Sequence, residues 1–395
     1  NFSFALTAEK DRGEPWRWDP QNQFYGYDFT SGHIMIREYG KIKRLVVGDY
    51  TLESGQGLVL SRGLGFGKGA TVIRSTKMPD RGIRPYSSVN ENQFMRGVAT
   101  TLGFGKLELT SFFSRNRFDG SVQARDTLTE AAEIVGSIQL GGLHRTPSEL
   151  ANRKAIGETA FGGQLVYRKR KLKIGVTQLW QQFDARIDRP VNAYNQFDFR
   201  GKSNLSLSAD YSWVFRNFNF FGELSRSSFS GGLAFMNGVL FSLDSRASMA
   251  IIYRNYQKDY HTFYNAGFSE GSKTQNEQGL YAGLKVNVSR AFTVNTYADM
   301  FTFPWLKYQV DAPSIGHEFM IQPTYKPNRE MEVYVRYREQ LRQKNSRFSD
   351  GTITEIEDVL NSLSAKIYEY YKRDFDYLYV DEETNVKAEK GAYFI

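Results

Sequence analysis

The most regular feature of the chain is a strict alternation of apolar and polar residues from 204 to 213. Successive side chains of a strand point to opposite faces, so the apolar positions share one face. These positions are Leu205, Leu207, Ala209, Tyr211 and Trp213. A strand of a soluble sandwich also alternates but is usually shorter. The length and the aromatic end fit a tilted transmembrane strand, so we predict that these five residues face lipid.

The same alternation recurs along the chain as a series of hairpins. Their tight turns are predicted at residues 103–106, 168–171, 215–217, 244–245, 289–290 and 327–329. Between the hairpins lie long polar segments rich in Asn, Asp, Gly and Ser, at residues 115–159, 184–201, 255–275 and 303–315. Short turns that alternate with long loops are typical of outer-membrane barrels, with the short turns in the periplasm.

These patterns predict an all-β fold, an antiparallel transmembrane outer-membrane β-barrel of roughly 16 strands with long extracellular loops. No Pro- or Ser-rich linker divides the chain, so we expect residues 1–395 to form a single barrel domain. The aromatic content of 15% fits interfacial girdles. The chain starts at Asn1 and ends on a strand-like GAYFI sequence, so we expect a barrel that is incomplete at both ends.

Residues 355–372 depart from the strand pattern. Their apolar residues are spaced by three and four, which is the spacing of a helix. Glu355 and Glu357 lie near the start and Arg373 follows the end, as the helix dipole favours. A helix in a large loop or in the lumen is one interpretation. A loop that runs into a poorly patterned strand is the other.

The glycine-rich run at residues 63–69 is the first candidate for chemistry. It lacks the full spacing of a phosphate-binding loop and has no Ser or Thr after Lys68. Together with Gly55 and Gly57, these glycines indicate bulges or a close approach of strands.

Other catalytic and metal-binding patterns are weak in this sequence. The chain has no Cys, which excludes disulfides and thiolate zinc sites. The four histidines are far apart in sequence and form no metal-ligand doublet, so we predict surface or loop positions for His33, His144, His261 and His317. No nucleophile-elbow motif occurs. We therefore predict no enzymatic activity, no catalytic residues, no cofactor and no metal site.

The charge balance is moderately basic, with 51 Lys and Arg against 43 Asp and Glu, a net charge of +8. Candidate lumen cations on the polar faces of strands are Lys173, Lys285, Arg336 and Arg338. They indicate a basic lumen or mouth that favours anions or nucleic acid. The alternative is pairing across strands with the carboxylates of Glu108, Asp210, Glu223 and Glu332.

Several longer motifs resemble one family of Gram-negative envelope proteins. They are GDYTLESGQGL at 48–58, GFGK at 65–68, GLHRTPSE at 142–149, YNQFDF at 194–199, GKSN at 201–204, RNFNFFGE at 216–223 and RNYQKDY at 254–260. The chain resembles the barrel portion of outer-membrane proteins that carry a helix-hairpin-helix domain similar to the competence DNA-binding protein. The resemblance implies no catalytic residue, and it makes DNA uptake one function to consider.

These observations lead to three functional expectations. The first is a channel or transport protein of the cell outer membrane, since about 16 strands enclose a lumen too wide for side chains alone to fill. The second is a plugged scaffold subunit of an envelope secretion or assembly complex, and the third is a DNA-uptake pore. The expected partners are outer-membrane lipid and lipopolysaccharide, other envelope proteins and, for the third function, nucleic acid.

Overall fold

The computed structural model describes residues 2–14, 16, 18–20, 24–27, 29–61, 67–79, 81–92, 94–127, 129, 131–345 and 362–369, with residues 24–25 and 362–369 as backbone only. The strands are β1 (Phe2–Glu9), β2 (Trp18–Asp19), β3 (Phe24–Tyr25), β4 (Phe29–Tyr39), β5 (Ile42–Glu53), β6 (Gly82–Pro85), β7 (Met95–Phe104), β8 (Leu107–Arg125), β9 (Ala132–Gln139), β10 (Ile156–Lys169), β11 (Leu172–Ile187), β12 (Gly201–Phe215), β13 (Phe218–Ser227), β14 (Leu233–Asp244), β15 (Ala247–Tyr256), β16 (Glu277–Asn287), β17 (Phe292–Phe303), β18 (Ser314–Tyr325), β19 (Met331–Arg342) and β20 (Ser362–Glu369).

The described strands form one large sheet of 18 strands and a small sheet in which β2 pairs with β3. Two of the 18, β6 and β9, are side strands that pair beside the main series, which leaves sixteen. From β4 onward, each of the sixteen pairs antiparallel with the one before it in sequence, as in β12 with β13 and β17 with β18. The predicted antiparallel barrel of roughly 16 strands is confirmed.

The strand register explains why the sequence alternates. On β12 the even-numbered residues Ser206 and Ser208 are buried, whereas Leu207 between them is 45% exposed. The neighbouring strand β11 continues the pattern, because Thr177 is buried opposite Ser208 and Val176 is exposed opposite Ala209. One face of the wall therefore points outward and is apolar, and the other points into a polar lumen.

The connections at the two ends of the barrel differ in length. Tight turns at residues 105–106, 170–171 and 216–217 join strands at one end, as the sequence predicts. Arg170 and Arg216 adopt positive φ values of 54° and 51° there, a conformation that closes tight hairpins. Long connections at the other end include residues 54–94, 126–155 and 257–276. The long-loop end is extracellular by the usual wiring of such barrels.

Two predicted segments differ from the structure. Residues 115–159 are not one long loop, because β8 continues to Arg125 and β9 follows within the same segment. In the segment 355–372, residues 362–369 form the strand β20, which pairs with β19. This part therefore agrees with the second interpretation, a loop that runs into a strand, and not with a helix. The rest of that segment lies outside the described residues.

Helical structure is sparse in the described part of the chain. The helix α1 (Pro147–Asn152) begins after Thr146, whose side chain caps Glu149 while the Glu149 carboxylate accepts from the Thr146 backbone. A 3-10 turn occupies Ala193–Asn195. None of the described helices has the length and apolar character needed to cross a membrane.

Candidate functional site

The outward face carries the residues that the sequence assigns to lipid. Of the five on β12, Leu207 and Trp213 are 45% and 44% exposed, Ala209 is also exposed, and Leu205 and Tyr211 are half-buried. Near the short-turn end, Trp213 stacks on Phe220 and Phe218 stacks on Phe241. A band of aromatic rings at this level is the arrangement found where a barrel meets the lipid headgroups.

The inward face holds the four candidate lumen cations, and three of them have hydrogen-bonding or ionic partners. Lys173 is buried, with its ammonium 3.0 Å from Asp210. Arg338 donates to Glu318 at 2.9 Å. Arg336 donates to the amide oxygen of Gln322 at 2.7 Å. Lys285 is exposed near the short-turn end. These cations do not form a continuous basic track.

The carboxylates that the sequence analysis offers as partners are paired with cations in most cases. Asp210 pairs with Lys173, as stated above. The other ion pairs are Glu108 with Arg168 at 3.1 Å and Glu332 with Lys326 at 2.6 Å. Three of the four carboxylates therefore form ion pairs. Glu223 instead accepts backbone N–H groups.

The lumen is filled by the chain that joins β5 to β6. We call its described residues, 54–61 and 67–79, the lumen segment. Leu58, Val59 and Leu60 in this segment are fully buried inside the barrel. The segment is attached at both ends to the wall, because β5 ends at residue 53 and β6 begins at residue 82. β6 pairs with the last residues of β5, which also pairs with β7, so the segment enters and leaves the lumen at one place on the wall.

Glu223 on β13 anchors the first turn of the lumen segment. One oxygen of its carboxylate accepts the backbone N–H groups of Gln56 at 2.6 Å and Leu58 at 3.1 Å. Gly55 lies so close that a Cβ atom there would be 2.5 Å from the same oxygen, and its φ is +57°. The close approach at this glycine is to a side-chain carboxylate and not, as the sequence had indicated, to a neighbouring strand. Only glycine fits both the space and the backbone conformation.

A second segment, residues 257–276 between β15 and β16, packs against the first from the long-loop end. The Tyr260 hydroxyl donates to the carbonyl of Leu58 at 2.7 Å. Backbone hydrogen bonds join Ser61 to Tyr264 at 2.7 Å and Ala266 to Gly57 at 3.0 Å. The two segments therefore form one plug, which we define as the lumen segment together with residues 257–276.

A buried ionic cluster fixes the plug to the wall on the side of β15 to β19. Arg254 and Asp299 are fully buried and bonded in two places, at 2.8 and 3.0 Å. Arg254 also donates to Glu277 at 2.5 Å. Lys68 of the lumen segment reaches Asp299 at 2.6 Å and also pairs with Glu270 of the second segment. Such paired, desolvated charges hold a defined geometry because each has several partners.

The charge state of Lys68 follows from these contacts. Burial alone would lower the pKa of its ammonium, but the negative charges of Asp299, Glu270 and Glu318 outweigh burial and raise the pKa above its ordinary value. Lys68 therefore stays positively charged inside the plug, and the carboxylates around it are compensated.

A cavity of about 460 Å³ lies between the plug and the short-turn end of the wall. Its lining includes Arg74 and Lys77 of the lumen segment and Arg168, Lys173 and Asp210 of the wall. Positive charge therefore dominates this space.

The sequence did not predict the plug. The sequence pattern indicated bulges or a close approach of strands at these glycines, whereas the described ones, Gly55, Gly57, Gly67 and Gly69, belong to the lumen segment. One available signal was a stretch after Glu53 that keeps apolar residues but loses the alternation of the strands. His144 and His261 lie in loops and His317 is exposed, as predicted, although the two loop histidines are buried; His33 differs, because it is buried on β4.

Comparisons with known proteins give structural matches only. No family model matches the chain, and no curated protein matches it. Among solved structures, the outer-membrane protein OprD of Pseudomonas aeruginosa has a TM-score of 0.41 and 10% identity over 79% of this chain and 72% of that chain. OccK3 (OpdO) of the same organism has a TM-score of 0.43 and 11% identity over 80% and 75%.

The family resemblance inferred from the sequence motifs is wrong. No family model places the chain with the helix-hairpin-helix proteins, and the solved structures that match include OprD and OccK3. Three of the motifs behind the resemblance, at 48–58, 216–223 and 254–260, contribute residues to the plug or to its anchors, as Gly55, Glu223 and Arg254 illustrate. The chain's own topology and apolar outer face make it a β-barrel of the outer membrane, in contact with lipid, as the sequence predicted.

Proposed function

We propose that this chain is a gated channel of the outer membrane and that the plug is its gate. The observation that carries the proposal is a wall of sixteen described strands around a segment whose two chain ends join the wall at one place and which is otherwise held by non-covalent contacts such as that with Glu223. Barrels of this size enclose an aqueous channel unless a separate element fills it. The plug fills it through polar contacts such as Glu223 with Gln56 and Lys68 with Asp299, which water can replace.

The proposal includes a division of the wall into two surfaces. Leu205, Leu207, Ala209, Tyr211 and Trp213 face lipid, and Lys173, Lys285, Arg336 and Arg338 face the lumen. Residues 1–395 form a single barrel domain without enzymatic activity. The pairing of Lys173 with Asp210 and of Arg338 with Glu318 gives no support to nucleic acid as cargo, because a phosphate backbone needs available cations.

Single-channel conductance in planar bilayers tests the gate directly. The chain has no Cys, so an introduced pair is the only one that can form a disulfide. Val59→Cys and Thr262→Cys join the two parts of the plug where the Thr262 hydroxyl donates to the Val59 carbonyl at 3.3 Å. We expect rare openings in the wild type, none in the oxidised double variant and recovery after reduction.

A variant with residues 56–78 replaced by a short Gly-Ser linker provides the opposite arm. It should conduct steadily, because residues 257–276 are then the only part of the plug that remains. Each single-cysteine variant controls for the substitutions themselves. A silent linker variant that still shows heat-modifiable migration in detergent gels would contradict the channel.

A permanently plugged scaffold is the second candidate. The buried cluster of Arg254, Glu277 and Asp299 favours it, because breaking such a network is costly. A scaffold would be silent in the wild type under all voltages and would co-purify with envelope proteins from native membranes. Openings of the wild type that are lost in the oxidised double variant and restored by its reduction would exclude it.

A further inference from the structure

Apart from the plug, the described loops at the long-loop end bring together one group of residues suited to bind a metal ion. Its members are Glu91, Asp119 and His144, whose ligand atoms all lie within 4.8 Å of one another. They come from three different parts of the chain: the connection between β6 and β7, the strand β8, and the connection between β9 and α1. The sequence spacing could not reveal this group.

We propose that Glu91, Asp119 and His144 form a binding site for a divalent transition-metal ion, with zinc as the natural probe. One imidazole nitrogen and two carboxylates are a donor set that such ions accept, with bonds of about 2.0–2.2 Å. A fourth position would remain for water. The site is separate from the proposed gate and does not depend on it.

The geometry of the two buried ligands supports the proposal. His144 Nε2 lies 2.8 Å from Asp119 Oδ2, and these residues are 2% and 7% exposed. The other oxygen of Asp119 accepts the backbone N–H of Lys154 at 2.8 Å, which fixes the orientation of the carboxylate. An ion between Nε2 and Oδ2 would replace their hydrogen bond, and the imidazole proton would then be on Nδ1.

Glu14 occupies the position expected of an outer-shell partner. Its carboxylate is buried and lies 3.8 Å from His144 Nδ1, on the side of the ring away from Asp119. It also accepts the His144 backbone N–H at 2.7 Å. Histidine ligands of metals usually donate their second N–H to a carboxylate, which fixes the tautomer and the ring orientation. Glu14 would make this bond on moving closer to Nδ1 than its present 3.8 Å.

Glu91 is the ligand that has to move. It is less buried than the other two, and since Nε2 and Oδ2 are already close, closure around an ion mainly requires rotation of its carboxylate. Gly142 packs against it, where a Cβ atom would be 3.1 Å from the Glu91 Cδ atom and φ is +65°. This glycine lets the chain pass close to Glu91 and places His144 two residues later.

The surroundings also contain positive charge, which limits the affinity. Lys154 interacts electrostatically with both Glu91 and Asp119. A divalent ion would have to compete with this charge for the two carboxylates. We therefore expect reversible binding that a chelator removes, not a permanently held ion.

Zinc binding to the full chain, purified in detergent and treated with chelator, tests the proposal. Competition with a chromophoric chelator should show about one zinc per chain. His144→Gln and Glu91→Gln should each weaken binding at least tenfold, and Glu14→Gln should weaken it about 10- to 100-fold without changing the stoichiometry. His317→Gln is the matched control, because His317 is an exposed histidine with a carboxylate, Glu339, at 3.9 Å.

A second measurement guards against variants that fold poorly. Zinc should raise the thermal midpoint of the wild type and of His317→Gln but not of Glu91→Gln, since only binding to the folded state stabilises. Glu91 is near the surface, so this variant should keep its heat-modifiable migration. Absence of zinc binding in the wild type, or binding that survives both His144→Gln and Glu91→Gln, would overturn the proposal.

Discussion

The outer and inner faces of the barrel wall share the same strands but are specified in different ways. On β12, Leu207 is 45% exposed and faces outward, and Asp210 is buried and pairs with Lys173 across the wall. Lipid accepts any apolar side chain on the outer face, so period and composition are enough there. A buried polar group needs a partner with suitable geometry, so the inner face depends on particular pairs of residues.

Replacement of Arg254 should give the largest loss of stability, because its partners on the inner face, Glu277 and Asp299, are fully buried. Arg254→Met leaves the carboxylates of Glu277 and Asp299 desolvated with less compensation, and we expect a loss of about 3–5 kcal/mol in the free energy of unfolding. Urea unfolding in lipid vesicles measures it.

The double variant Arg254→Met, Glu277→Gln controls for the lost volume of the arginine. It removes the Glu277 charge, while Asp299 keeps its contact with Lys68, so the double variant should be more stable than Arg254→Met alone. A single variant that loses less than about 1 kcal/mol would mean that the inner face does not depend on this cluster.

On the outer face, the cost of introducing a charge should depend on how deep the residue lies in the membrane and not on neighbouring side chains. Leu207→Arg places a charge on the lipid side near the middle of β12 and should cost about 2–4 kcal/mol. Phe215→Arg is the matched control, since it lies on the same face of the same strand but at its short-turn end. There we expect a cost of about 0–1 kcal/mol. Equal costs at the two positions would contradict the assignment of this face to lipid.

The contact between the plug and the wall can be isolated with two glycines. Gly55→Ala meets the Glu223 carboxylate at 2.5 Å and also forces alanine into φ +57°, whereas Gly105→Ala at φ +68° meets no atom within 4 Å. Both variants pay for backbone strain of about 1 kcal/mol. We expect Gly55→Ala alone to increase channel openings as well, as measured in planar bilayers. Similar gating in the two variants would separate Glu223 from the gate.

The strands and turns could be predicted from the sequence because both depend on local rules. Alternation over residues 204–213 fixes which side chains share a face, and tight turns such as 170–171 need only a few residues that tolerate the bend. The aromatic residues around Trp213 mark the interface for the same reason. These features need no knowledge of distant parts of the chain.

The plug and the candidate metal site could not be predicted, because their contacts join residues far apart in sequence. Gln56 meets Glu223 and Lys68 meets Asp299 only after the wall has curved round. Without the fold, the sequence motifs around these residues indicate a protein family and not a contact between two residues. His144 and Asp119 likewise meet only through the long-loop connections.

Disruption of an exposed ion pair at the rim of the barrel should give the smallest loss of stability, because pairing stabilises the inner face only where the charges are buried. Lys326 and Glu332 are 2.6 Å apart, but their side chains are 51% and 38% exposed. Water screens such a pair and the side chains lose freedom on pairing, so Lys326→Ala should cost about 0–0.5 kcal/mol in the urea experiment. Lys173→Ala makes the informative comparison, because its partner Asp210 is buried and would lose its cation. A cost at Lys326 equal to that at Lys173 would show that pairing alone, without burial, sets the energy of the inner face.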